Sequence, residues 1–279
     1  MSATAEQIAA FRGGSKTYYN ASRFFPEAVK DQVIRFYAFV RIADNLVDAT
    51  PQQTVEFNQL CQALAEARTG TASGWFIVDD FAQLEQSAGF ERAWTDAFLA
   101  SMRMDLEKSE YATIDETLAY IYGSAEVIGL FMAHIMGLST RAAHAARMQG
   151  RAMQMINFIR DIAEDCRLGR TYLPQAETSL PALDETHARS DPGEFKRYIQ
   201  AQIDRYFEWQ SEAQAGYQFS PRAYLIPIKT ASDMYAWTAR QIRRDPFIVF
   251  RRKVKPSKAR ILMTIFGNWL FVHPRETVL

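Results

Sequence analysis

The stretch QMINFIRDIAEDCRLGRTYLP, Gln154 to Pro174, decides how this chain is read. Within it Asn157, Asp161 and Asp165 stand at i, i+4 and i+8. Each four-residue step on an α-helix turns about 400°, so successive members drift only about 40° and share one stripe. Met155, Ile156, Phe158, Ile159 and Ile162 fill the intervening positions and suit a helix packed inside a domain. Burying two carboxylates and an amide there requires partners, because unpaired buried charge is costly. Two readings meet the requirement. A short stripe of oxygen ligands suits Mg²⁺, which fills its remaining positions with water and phosphate and so points to a diphosphate substrate. The other reading is a network of buried ion pairs, for instance Arg160 or Arg167 against Asp161 or Glu164.

The bulk composition bounds what surrounds this stretch. A chain of 279 residues, 48% hydrophobic and 23% charged, is long enough for a sizeable core and fits a soluble globular class. Lys+Arg 32 balances Asp+Glu 32, so no global basic field argues for nucleic acid and any basic site is local. Cys61 and Cys166 lack metal-like spacing and read as free thiols of a reducing compartment. The opening MSATAEQIAAFRGG lacks the basic-then-apolar pattern of a signal peptide, and no run of about 18 apolar residues is evident. A cytoplasmic location is the expectation.

Periodicity outside the opening stretch is helical almost throughout, with Pro and Gly between the periodic segments. Helices are expected over 5–11, 27–47, 54–67, 81–107 with a break near Gly89, 114–137, 140–165, 194–215 and 221–244. The segment Pro174 to Pro192 bears Pro, Ser and Asp with weak periodicity and reads as a long loop, a candidate lid. Gly123, Ser124, Ala125 and Gly129 give the mid-chain helix either close helix contacts or room for a ligand chain. No internal repeat or linker appears, so residues 1–279 are expected to form a single all-α domain.

A second acidic pair stands far upstream. In FYAFVRIADNLVDAT, Asp44 and Asp48 share a helix face and Arg41 lies one turn earlier. An acidic pair on a helix is ordinarily a solvated face. Here Phe36, Tyr37, Phe39, Val40, Ile42, Leu46 and Val47 leave such a face little room. Should the two acidic helices face each other, their carboxylates can hold Mg²⁺ on a diphosphate. Ser15, Lys16, Arg41, Arg170 and the run Arg251-Arg252-Lys253 supply the basic and hydroxyl groups a diphosphate also needs. Tyr18, Phe24, Phe25, Tyr37, Tyr120, Tyr122, Phe131 and Tyr235 either line a cavity, where aromatic faces stabilise a carbocation, or are ordinary core.

These motifs resemble those of the squalene/phytoene synthase family of head-to-head prenyl synthases. YAFVRIADNLVD (Tyr37 to Asp48) is similar to the family's first aspartate-rich motif, and NFIRDIAEDCRLGRTYLP (Asn157 to Pro174) to its second. The similarity extends to FLASMRMDLEKSEY, YIYGSAEVIGLFMAHIMG and LIPIKTASDMYAWTARQI, and so to nearly the whole chain. The resemblance implies an all-α isoprenoid synthase fold around a central cavity. It implies Asp44 and Asp48 on one wall and Asn157, Asp161 and Asp165 opposite, binding Mg²⁺, or Mn²⁺ in its place. It implies that Ser15, Lys16, Tyr18, Tyr37, Arg41, Gln154 and Arg170 hold the prenyl diphosphate and that Tyr235 and Arg252 lie near the site. Two departures stand out. The first motif reads D-N-L-V-D, where Asn45 keeps an oxygen but loses a charge. The mid-chain helix carries Glu126, which is either a further polar cavity residue or the partner of a base such as Lys16 or Arg41.

The resemblance is greatest to bacterial and archaeal phytoene synthases. It implies condensation of two geranylgeranyl diphosphates through prephytoene diphosphate to phytoene, with Mg²⁺ and without NADPH. Farnesyl diphosphate as substrate, giving squalene-type products, is the alternative. A non-catalytic relative acting as an assembly factor is the alternative of another class. The tail places Lys253, Lys255, Lys258 and Arg260 before ILMTIFGNWLFV, which reads as a peripheral membrane contact or as a terminal core helix.

Overall fold

The computed structural model describes residues 3–14 and 25–272, which are almost entirely helical. In chain order the helices are α1 (Ala5–Gly14), α2 (Glu27–Asp48), α3 (Thr54–Ala67), α4 (Phe76–Ala88), α5 (Arg92–Glu107) and α6 (Ile114–Ile121). A π-helical turn, Tyr122–Glu126, carries α6 directly into α7 (Val127–Ile135). There follow α8 (Ala143–Arg167), α9 (Glu185–Ser190), α10 (Pro192–Gln214), α11 (Arg222–Arg244), α12 (Ile248–Arg251) and α13 (Lys258–Phe271). Among the described residues the sole β pairing is one isolated bridge, Glu110 to Thr171.

Local chemistry sets the helix ends. At α6 the Thr113 hydroxyl accepts from the Glu116 amide at 3.3 Å, and Glu116 reaches back to the Ala112 amide at 2.8 Å. At α10 Asp191 caps the Glu194 amide at 3.0 Å and Pro192 takes the first turn, where its missing N–H costs nothing. The long second half of the acidic stretch ends at Gly169, whose φ of 71° lets the chain turn sharply out of α8.

α8 is the centre of the bundle. Ala152, Met155, Ile156, Phe158, Ile159 and Ile162 are buried on several of its sides, against α10, α7 and the π turn. A second apolar cluster joins α2, α3, α4 and α5, with Phe39 stacked on Phe81 at 3.9 Å between ring centres. The expected helix from Phe81 begins instead at Phe76, and it breaks at Gly89 as the pattern predicts.

Three features of the mid-chain helix stand out. Ile114–Ile135 is, by length and composition, apolar enough to cross a membrane, although no such run was expected from the sequence. It lies within the bundle, with 56% of its most apolar window buried. Its glycines serve close packing: a Cβ on Gly123 would lie 2.0 Å from the Ala97 carbonyl oxygen, and one on Gly129 would lie 2.1 Å from that of Ala146. Glu126 pairs with bases of α8 and not with Arg41. It is buried and accepts from Arg147 at 2.8 Å and Arg151 at 2.6 Å, which pins the π turn to α8. Lys16 lies outside the described residues.

The segment from Pro174 to Pro192 is better anchored than a loose loop. Leu180, Leu183 and Ala188 are buried, and α9 forms within it. Glu177 meets Gln202 and Arg205 of α10 at 2.9 Å and 3.0 Å, and the Tyr198 hydroxyl donates to the Pro174 carbonyl at 3.0 Å.

The backbone contact at Gly123 sets one prediction. Gly123→Ala is expected to cost about 1–3 kcal/mol, because the Ala97 carbonyl cannot move aside cheaply. Gly193→Ala, where the nearest atom is 3.5 Å away, serves as the control and should leave the melting temperature unchanged. Equal melting temperatures for the two variants would show that the approach to α5 is slack.

Candidate active site

The C-terminal end of α2 presents Arg41, Asp44 and Asp48. Arg41 hydrogen-bonds Asp44 along the helix. Burial, and next the neighbouring Asp48, push the Asp44 carboxyl up to about 6, with Arg41 opposing and Asp105 adding to the rise. Tyr37, one turn before Arg41, packs its ring 4.2 Å from that of Phe11, and burial raises its hydroxyl pKa.

α8 presents Gln154, Asn157, Asp161 and Asp165 on one stripe, all partly buried. The Asn157 amide nitrogen donates to Gln154 at 3.5 Å, while its Oδ1 is buried with no hydrogen-bond partner among the described residues. Asp161 is held by the Arg160 guanidinium at 2.9 and 2.5 Å and by Lys253 at 3.1 Å. Burial opposes the rise in the Arg160 pKa that Asp161 causes, and Tyr235 of α11 lies near enough to Arg160 to help raise it. Asp165 has no salt-bridge partner among the described residues. Burial, then repulsion from Asp161 and Glu164, push its carboxyl up to about 8.

Arg170 joins the two walls. After the turn at Gly169 its amide bonds the Asp165 carbonyl at 2.9 Å, and its side chain reaches back to α2. There it donates to Asp48 at 2.7 Å and to the Val47 carbonyl at 2.8 Å. Behind it, Asp105 of α5 accepts from the Tyr172 hydroxyl at 2.7 Å and the Tyr120 hydroxyl at 2.8 Å. Burial raises the Asp105 pKa, and those two hydroxyls and Arg170 pull it back.

The expected residues therefore fall into three groups. Tyr37, Arg41, Asp44, Asp48, Gln154, Asn157, Asp161, Asp165, Arg170 and Tyr235 lie on or beside the two walls. Ser15, Lys16 and Tyr18 lie outside the described residues. Arg252 is exposed and meets no carboxylate among the described residues, whereas Lys253 reaches both Asp161 and Glu164. Arg251 turns away to Asp245. The ion-pair reading of the α8 stripe is right for Arg160 and Asp161. Among the described residues no three His, Cys, Asp or Glu side chains already converge as a ready-made metal cage.

Sequence reasoning missed Asp105 and Tyr172. Asp105 was legible in principle: Phe98, Ser101, Met102 and Asp105 are all buried and stand at i, i+3, i+4 and i+7, so a carboxylate occupies a position of the core-facing stripe.

Removing the bridge is expected to loosen the walls. Arg170→Ala leaves Asp48 and the Val47 carbonyl without their donor and should cost about 2 kcal/mol. Arg170→Lys should recover only part of this, since one ammonium does not reproduce the two-pronged contact. Urea midpoints for both variants check the order, and a Lys variant equal to wild type would contradict it.

Comparison with known proteins agrees with this architecture. The family model described as squalene/phytoene synthase matches residues 11–260. The 15-cis-phytoene synthase of a Paracoccus species is 28% identical over 271 residues, covering 92% of this chain and 88% of that one. That of Enterobacter agglomerans is 29% identical over 260 residues, covering 84% and 88%. Among solved structures, a dehydrosqualene synthase in complex with ligand superposes with a TM-score of 0.80 at 19% identity, covering 96% of this chain and 95% of that one. The squalene synthase HpnC of Alicyclobacillus acidocaldarius superposes with a TM-score of 0.75 at 22% identity, covering 87% and 93%. At those identities the structures speak for the fold alone, an all-α synthase bundle. The match over nearly the whole chain, with both acidic motifs on facing elements joined by Arg170, means that this chain belongs to the squalene/phytoene synthase family.

Proposed function

We propose that this prenyltransferase condenses two molecules of geranylgeranyl diphosphate head to head to phytoene, with Mg²⁺ bound between the two acidic walls. The observation that carries the reading is the α8 stripe. Asn157 Oδ1 is buried without a partner among the described residues, and burial and acidic neighbours push Asp165 up to about 8, a rise that Lys253 and Arg170 only partly offset. Both are relieved by a bound cation. The donor set is all oxygen, which suits Mg²⁺. Cys166 is no rival ligand, because burial pushes its thiol up to about 11 and keeps it protonated. The choice of geranylgeranyl over farnesyl chains rests on the names of the relatives in Paracoccus and Enterobacter.

Asp44, Asp48, Asn157, Asp161 and Asp165 would hold the metal. When bound, Mg²⁺ supplies Lewis-acid stabilisation of the charge that builds on a departing diphosphate. The chain's own part is to bind, orient and exclude water. Arg41, Arg160, Arg170 and Lys253 neutralise the carboxylates here, and the same cations would pair with diphosphate oxygens. Gln154 orients Asn157, and Asp161 orients Arg160. The C1–O bond of one donor breaks with its electron pair leaving on diphosphate. The double bond of the second molecule attacks the allylic cation, and loss of a proton closes a cyclopropane. The second diphosphate leaves in the same way, the ring rearranges, and a second proton is lost. No hydride is consumed, so NADPH has no role in this sequence.

Product analysis tests the reading. Purified protein with Mg²⁺ should convert geranylgeranyl diphosphate to phytoene, and chelation should stop turnover. Asp161→Ala should lower kcat by about 10²-fold or more. Formation of squalene-type or hydroxysqualene-type products alone, from farnesyl diphosphate, would overturn the substrate. A wild type inert toward every prenyl diphosphate would favour the assembly-factor alternative.

A further inference from the structure

Ten large apolar side chains stand exposed among the described residues, and six of them belong to α13: Leu262, Met263, Phe266, Trp269, Leu270 and Phe271. At 100° per residue the first five fall within a stripe about 120° wide. The opposite side of the helix is seated on α11. There Asn268 is buried and donates to Thr230 Oγ1 at 3.1 Å and to Asp233 Oδ2 at 2.9 Å. The outward stripe is thus fixed in direction; Arg222 lies over the Trp269 ring at 5.8 Å, while Leu262, Met263, Phe266 and Leu270 stay exposed among the described residues.

Charge says what covers it. Between Asp245 and Glu276 the chain has no acidic residue, while 251–260 holds six Lys or Arg. Arg252, Lys255 and Lys258 of that run are exposed and meet no carboxylate among the described residues. Lys258 opens α13 and Arg260 follows in its first turn, where positive charge opposes the helix dipole and no acid compensates. A second copy of the chain would pair the patch with itself and bring like charges together. An anionic surface that also accepts Phe, Leu and Trp side chains satisfies both features at once.

We infer that α13 and the basic run before it form a membrane-docking face, with the α13 stripe in the headgroup region of a bilayer rich in anionic phospholipid. Long-chain prenyl substrates and products partition into the same phase, so docking keeps the site beside its lipid supply. The face itself does not depend on the catalytic reading, because binding is read without substrate.

Co-sedimentation of the full chain with vesicles tests it. Vesicles containing phosphatidylglycerol should retain the protein, and pure phosphatidylcholine should retain far less. Raising salt to about 0.5 M should weaken retention. Phe266→Ser with Phe271→Ser, and separately Lys255→Glu with Lys258→Glu, should each lower partitioning roughly tenfold or more. The charge variant removes an unfavourable cation from the start of the helix, so its melting temperature should not fall. Absence of binding to anionic vesicles, or binding indifferent to both variants, would overturn the inference. So would concentration-dependent self-association without vesicle binding, abolished by the Phe variants, since a second copy would then be the occupant.

Discussion

The guanidinium of Arg170 makes it possible for two acidic helix ends to face each other. Asp44 and Asp48 on α2, Asp105 on α5, and Asp161 and Asp165 on α8 would otherwise repel across a partly buried space. A planar fork can donate to the Asp48 carboxylate and the Val47 carbonyl together, which a point charge cannot. The turn that aims it requires Gly169, and the tyrosines behind it tie Asp105 down. The apposition of the walls therefore depends on a residue that belongs to neither acidic pair.

The same logic of local neutralisation runs through the site. Asp44 has Arg41, Asp48 has Arg170, and Asp161 has Arg160 and Lys253. Away from the site, Glu126 is buried between Arg147 and Arg151, which fixes how the π turn sits on α8. π turns widen a helix locally and occur often near functional sites. Here the widened turn precedes α7 and lies against the helix that bears Asn157 and Asp161. Asp165 alone of the four wall aspartates makes no salt bridge among the described residues, and burial with its acidic neighbours pushes its carboxyl up to about 8.

Much of this was legible in the sequence, for definable reasons. Helix positions followed from apolar periodicity, and the α8 stripe followed from four-residue spacing. Positions outside regular elements were not legible. Whether Arg252 or Lys253 meets Asp161 depends on how 252–257 leaves α12, and no periodicity governs that path. The partners of Glu126 lie 21 and 25 residues downstream, and only the packing of α7 on α8 brings them together. The π turn was hidden because one extra residue in a turn leaves an apolar run looking continuous. Asp105 is legible as a carboxylate in a core stripe but not as a site residue, because its partners, Tyr120 and Tyr172, lie 15 and 67 residues away and meet it only in the fold.

The seating of α13 has a consequence for behaviour at a phase boundary. A terminal helix attached only by greasy contacts loses its reason to stay attached once lipid is available, because acyl chains are as apolar as the protein groove. Asn268 instead fastens α13 through hydrogen bonds to Thr230 and Asp233, and Lys229 holds Asp233 in place at 2.8 Å. Hydrogen bonds of this kind strengthen as surrounding water is withdrawn. The helix is therefore fastened by contacts that a change from water to lipid tightens, and it is free to exchange solvent on its outer side without leaving the domain.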